Sequence, residues 1–224
     1  MADRLRVRLG ADVSRRALLG GGLGALLFIR VRAAHAKSYL TTRVHAPALE
    51  ARFWAWWNRA ALYAQDLKVS AHPNVVRFRR KLAALPGDLG SLELIRAVSR
   101  LVNASAPYVA DYRSSRGRDQ WASPIEFLER GGDCEDFALT KAATMYRLGW
   151  PVDRTYLLVG LLDRPRIGPS GHAVLVAVPG DGDEREFVLD NTSDRVVSLD
   201  RFAAFTPIYG LDRRGVIMFT KSLD

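Results

Sequence analysis

The sequence predicts an α+β domain in which helices come first and pack on an antiparallel β-sheet. Three observations predict it. Apolar side chains recur at helical spacing up to residue 148. Beyond residue 155 the chain breaks into short runs rich in β-branched and apolar residues. Turn-rich segments, such as 165–171 and 179–183, separate most of these runs.

The elements follow in order. Residues 50–65 hold Phe53, Trp54, Trp56, Trp57, Leu62 and Tyr63 in a helix-compatible pattern, with the tryptophans expected in the core. Pro73 opens a second helix whose stripe is Val75, Val76, Phe78, Leu82 and Leu85, and Pro86-Gly87-Asp88 stops it. Leu92, Leu94, Ile95, Val98, Leu101 and Val102 form a third stripe, with Ser91 as the expected cap and Glu93 nearby. Residues 111–120 are polar and charged and read as an exposed loop. Ser123 caps a short helix with Pro124 at its first position, and Gly131-Gly132 breaks it. A longer helix runs from about Cys134 to Leu148 and ends at Gly149 and Pro151. Strands are expected at 155–162, 172–178, 186–190, 195–199 and 215–220.

Composition bounds the function. The chain is 48% hydrophobic and 25% charged, ordinary for a soluble globular domain. The formal net charge is +9, but residues 1–36 carry +5 of it and leave +4 for the rest. Arg77, Arg79, Arg80 and Lys81 form one basic run without the interleaved aromatics that stack bases, so no nucleic-acid partner is expected.

Residues 1–36 read as a signal peptide. Arg15-Arg16 precedes the uncharged run 17–29, too short to span a ~30 Å hydrocarbon core but fitting a signal-peptide core. Arg30 and Arg32 follow, a pattern that resembles twin-arginine signals, and Ala34-His35-Ala36 offers a small-residue cleavage site. Export leaves residues 37–224 as one domain.

The chain holds one cysteine, so no internal disulfide forms. By composition alone a lone cysteine reads as a small buried hydrophobe. Its neighbours reverse that reading. In Gly131-Gly132-Asp133-Cys134-Glu135-Asp136 the glycines permit a tight turn and Cys134 opens a helix. Unpaired N–H groups and partial positive charge at a helix start favour a thiolate. The Cys134 N–H is also a candidate oxyanion donor. Asp133 and Glu135 oppose the thiolate, so solvent, a cation or outward-pointing geometry must offset them.

Four histidines are available as base. His35 lies in the leader, His45 near the expected mature N-terminus and His72 in a loop before Pro73. His172 alone opens a strand, after a flexible Gly168-Pro169-Ser170-Gly171. If strands 172–178 and 184–190 pair through a five-residue loop, His172 faces Asp190 on one sheet face. A carboxylate there accepts from one imidazole nitrogen and aims the other at a nucleophile. A register one residue different puts Asn191 there instead. Asp190 also reads as a turn residue with Asn191 and Thr192.

Asp133-Cys134-Glu135-Asp136, Gly171-His172-Ala173-Val174-Leu175 and Val188-Leu189-Asp190-Asn191 together resemble the bacterial transglutaminase-like cysteine protease family, with its LapG-type members. Asp119-Gln120-Trp121-Ala122-Ser123-Pro124 with Glu126 is similar as well, and the likeness spans residues 103–191. It implies a papain/transglutaminase-like fold, with Cys134 as nucleophile, His172 as base and acid, and Asp190 as orienter. It implies a periplasmic location and a calcium ion on Asp133, Glu135 and Asp136, where hard oxygen ligands suit the ion. LapG-type members cut a large surface adhesin, which links them to biofilm, and an inner-membrane cyclic-di-GMP receptor sequesters them. The resemblance implies a protein substrate and, by extension, those partners. The same triad serves transamidation, and a catalytically silent binding module would keep the fold. Trp121 is expected to line the pocket, donate from its indole or sit in the core.

Overall fold

The computed structural model describes residues 30–34, 37–110, 121–180 and 182–221. The twin-arginine pair, the apolar run 17–29 and the expected loop 111–120 lie outside the described residues.

Among the described residues, six α-helices cover one face of an eight-stranded sheet. The helices are α1 (Pro47–Ala60), α2 (Tyr63–Val69), α3 (Pro73–Ala83), α4 (Ser91–Asn103), α5 (Pro124–Arg130) and α6 (Cys134–Arg147). The strands are β1 (Arg30–Ala34), β2 (Lys37–Val44), β3 (Thr155–Arg164), β4 (Gly168–Ala177), β5 (Phe187–Leu189), β6 (Val197–Ser198), β7 (Phe205–Asp212) and β8 (Gly215–Lys221). Their order across the sheet is β1-β2-β8-β7-β3-β4-β5-β6, and each pairing is antiparallel. The predicted α+β class stands. Among the described residues, no helix is long and apolar enough to cross a membrane.

The helix starts follow their local chemistry. At α5 the Ser123 hydroxyl accepts from the Glu126 N–H, and Glu126 Oε2 accepts from the Ser123 N–H at 2.7 Å, a reciprocal cap. At α4 the expected cap moves by one residue. Ser91 is the first helical residue, Gly90 is the cap, and Glu93 Oε2 accepts from the Gly90 N–H. The stretch 50–65 is two helices, because the Leu62 N–H turns back to Arg59 O and α2 starts anew from Leu62.

The helices bury their stripes in one large core. Trp56, Phe78, Ile95, Phe127 and Met145 meet Leu157, Leu175 and Leu189 of the sheet there. Trp56 is buried as expected, whereas Trp54 is exposed. A second cluster, with Tyr156, Leu158, Val174, Val176, Val188 and Phe205, uses the alternate residues of the same strands. Both faces of the central strands are covered, so β4 is buried continuously from His172 to Ala177 instead of alternating.

Three strands were not foreseen: β1, β2 and β7. The last hides behind Pro207, a residue that argues against a central strand. Its partner Gly160 lies where the β3–β7 register shifts between Val159 and Gly160, so the missing N–H falls at an irregularity of the ladder. Gly160 is required there, since a Cβ would stand 2.2 Å from Thr206 O. β1 falls inside the predicted leader, so cleavage after Ala36 would remove that edge strand.

Candidate active site

The site forms where the start of α6 meets β4 and β5. A turn stitched to a second segment sets the start of α6. Gly131 has φ +82°, and a Cβ on it would stand 2.3 Å from Pro107 O, so only glycine suits the position. The Val109 N–H donates to Gly132 O at 2.8 Å, and the Gly132 N–H to Pro107 O at 3.3 Å. Tyr108 is thereby fixed beside the acidic cluster. Tyr108 is exposed overall, and its partial burial, then the electrostatic effect of Cys134, Asp133 and Glu135, push its phenol above the usual tyrosine range. Sequence reasoning missed Tyr108, because its approach is made by backbone bonds from a distant loop.

Cys134 is the first residue of α6 and is half-buried. Its thiol donates to Glu135 Oε2 at 2.9 Å. Burial, then the charge and hydrogen bond of Glu135, push the thiol well above its ordinary value; the Ala173 N–H pulls the other way and Asp133 adds to the rise. The carboxylates thus oppose the thiolate, as the sequence implies. The Ala173 contact also places the sulfur against the residue that follows His172.

His172 and Asp190 form a buried pair. His172 Nε2 lies 2.8 Å from Asp190 Oδ1, and the two residues are 3% and 5% exposed. With Nε2 on the carboxylate, Nδ1 is the nitrogen left to serve a nucleophile. Burial pushes the Asp190 carboxyl up, but bonds from His172 and Thr192 outweigh it and hold the group down at about 2. The Thr192 N–H donates to Oδ1 at 3.0 Å and its hydroxyl to Oδ2 at 2.6 Å. Asp190 therefore acts both as turn residue and as partner of the imidazole.

The strand register behind this pair differs from the expected one. Leu175 pairs with Leu189, where the five-residue loop would have paired it with Phe187. β5 ends at Leu189, so Asp190 lies just past the ladder and diagonal to His172, whose own β3 partner is Gly160. A slip of two residues preserves the face, which is why the pair still meets. The segment 168–171 is likewise part of β4, not a flexible approach to it.

The three acidic residues do not act alike. Asp133, Cys134 and Glu135 each offer a ligand atom, and these atoms lie within 4.8 Å of one another. Asp136 is turned inward: it is 1% exposed, and its Oδ1 accepts from the Ala122 N–H at 2.7 Å. A Cβ on Gly132 would stand 2.2 Å from Asp136 Oδ2, so Gly132 leaves room for that carboxylate. Trp121 is a core residue at 4% exposure, with the Arg52 guanidinium 4.2 Å from its ring centre.

The family profile for bacterial transglutaminase-like cysteine proteinases matches residues 79–204, more than half of the chain. The chain belongs to that family. It is a cysteine peptidase with a transglutaminase-like fold. Calcium-bound LapG of Legionella pneumophila superposes with TM-score 0.57 at 20% identity, covering 71% of this chain and 87% of that one. A further structure of the same LapG gives 0.54 at 21%, covering 73% and 87%. The EGTA-treated form gives 0.54 at 20%, covering 75% and 90%. At these identities the likeness concerns the fold. No curated protein sequence matches the chain.

In this peptidase a crevice of about 300 Å³, lined by Arg43, Trp54, Asp212 and Arg214 among others, lies between α1 and strands β2, β7 and β8. None of Cys134, His172, Asp190, Asp133, Glu135 and Asp136 lines it. The basic run falls on α3, where Arg79 Nη1 donates to Leu67 O and Lys68 O.

Proposed function

We propose that this peptidase is an exported, calcium-dependent endopeptidase acting through Cys134, His172 and Asp190. The buried His172–Asp190 bond, placed beside the start of α6, carries the reading. A cysteine peptidase with one cysteine in its sequence also has one candidate nucleophile.

His172, held through Nε2 by Asp190, takes the thiol proton on Nδ1. The sulfur attacks the peptide carbonyl, and the Cys134 N–H at the helix start donates to the developing oxyanion. His172 then gives its proton to the leaving amine. Water hydrolyses the thioester with His172 as base, and the thiol returns.

Asp133 and Glu135 fit a calcium ion, being hard oxygen donors gathered beside the sulfur. A bound ion supplies positive charge that offsets both carboxylates and gives Glu135 a partner other than the thiol. In this reading Asp136 braces residue 122 from within the protein. The calcium-bound and EGTA-treated LapG structures favour a role for the ion.

In this reading the enzyme is periplasmic and exported by the twin-arginine route, a reading supported by Arg15-Arg16, the apolar run 17–29 and Ala34-His35-Ala36. A large surface adhesin is the proposed substrate, and an inner-membrane cyclic-di-GMP receptor the proposed regulator. The test compares surface and secreted proteins from cells with the native chain and with Cys134→Ala, by sequencing new N-termini. Native-only N-termini are expected on an exported protein. Ammonia release with amine incorporation and no new N-termini would replace proteolysis with transamidation. Identical profiles, with Cys134 alkylated no faster than a free thiol, would end the enzymatic reading.

A further inference from the structure

Lys141 is 0% exposed, a rare state for a lysine. It sits on α6, seven residues and two helical turns after Cys134, so both residues lie on the same side of the helix. Its ammonium donates to Leu189 O at 3.1 Å. Leu189 is the last residue of β5 and immediately precedes Asp190. The next carbonyl is anchored too, since Asn103 Nδ2 at the end of α4 donates to Asp190 O at 3.0 Å.

We infer that Lys141 is a positioning residue for the catalytic triad, fixing Asp190 relative to Cys134 through one rigid helix. α6 touches β4 through the sulfur and the Ala173 N–H, and β5 through Lys141 and Leu189 O. The ladder stops at Leu189, so no strand pairing holds Asp190 itself. Side chains from two helices take over where the sheet ends. Burial pulls the Lys141 ammonium down, whereas the charges of Asp190 and then Asp194 hold it up. These two carboxylates are the charged groups that act on it, and Asn103, on α4, also donates to Asp194 Oδ1. A merely structural lysine at this depth carries a desolvation cost that a methionine of like size would not.

The inference rests on the proposed triad, so the test separates the two. The probe is iodoacetamide, which labels one site because the chain has one cysteine. Alkylation is followed from pH 5 to 9 in the full chain with excess calcium, for the native protein, Lys141→Met, Asp190→Asn, His172→Gln and the K141M/D190N double variant. Proton spectra alongside follow the low-field signal of the His172 Nε2 proton. K141M is expected to fold, to weaken or lose that signal, and to alkylate about ten- to a hundredfold more slowly below pH 7. In the D190N background K141M is expected to add nothing. If K141M does not fold, Lys141→Gln, one bond shorter, also loses the anchor and is expected to show the same loss. A folded K141M or K141Q with a native profile and native signal overturns the role of Lys141 alone, as does an equal loss in the D190N background. A profile that H172Q and D190N leave unmoved overturns the triad, and the role of Lys141 with it.

Discussion

Replacing Glu135 with glutamine is expected to speed alkylation of Cys134 in calcium-free protein, although it removes a residue of the proposed active site. The thiol donates to Glu135 Oε2 at 2.9 Å. At that separation a carboxylate disfavours a thiolate by about 1.4 kcal/mol in bulk water and about 6 kcal/mol at an effective dielectric constant of 20. Glu135 is half-buried, so solvent screening holds the effect toward the lower figure. Even there the thiolate population rises about tenfold. Glutamine keeps the shape and removes the charge. The assay is the iodoacetamide rate at pH 8 after exhaustive chelation, with calcium then restored. Native protein is expected to react slowly without calcium and faster with it. E135Q is expected to start about tenfold faster and to respond little to the ion. If E135Q is no faster than native protein without calcium, Glu135 does not restrain the thiol, and the link between ion and nucleophile fails.

Three other outcomes follow from the same geometry. Asp190 is held at about 2 against 3.8, so its contribution to stability is present above pH 3.8 and fades as pH falls through about 2. Urea melts should show D190N weaker than native by about 2 kcal/mol at neutral pH, the gap closing toward pH 2. Asp136→Ala leaves the Ala122 N–H without its buried acceptor and should cost about 1–3 kcal/mol with or without calcium. A loss confined to calcium-loaded protein would instead make Asp136 a ligand. Lys141 is lowered to about 7 from 10.5, burial being the main cause. Between those values the unfolded chain binds a proton that the folded one releases, so native stability rises with pH there. K141M removes that burial cost but leaves Leu189 O without its donor, so it should exceed native stability by at most about 4 kcal/mol at neutral pH, the difference narrowing toward pH 10.

The helical half of the fold is legible because its signals are local. Ser123 with Glu126, Pro73 at a helix start and Gly131-Gly132 before Cys134 each act within a few residues. The sheet is harder to read because its signals depend on the partner strand. Pro207 looks like a strand breaker until Gly160 and the β3–β7 irregularity stand beside it. Residues 178–186 form a longer connection than the expected five-residue loop, and sequence alone holds nothing that fixes its length. The His172–Asp190 contact survives that error because a two-residue slip returns both side chains to the same face. A one-residue slip would have separated them.

The residues that sequence reasoning could not reach come to the candidate site from elsewhere in the chain. Tyr108 arrives on backbone bonds to the Gly131-Gly132 turn, and Asn103 reaches Asp190 across 87 positions. Lys141 is buried on a helix that also buries Phe137, Ala138, Leu139 and Met145. A lysine with no exposure carries a desolvation cost that an apolar residue in its place would not. The atom it reaches, Leu189 O, belongs to the last paired residue before Asp190. In the proposed triad the ladder ends before the orienter, and the helix that carries the proposed nucleophile anchors the residue beside it. On the inferred role of Lys141, stability is exchanged for alignment along one helix, and the opposite signs expected for K141M, higher melting with slower alkylation, follow from that exchange.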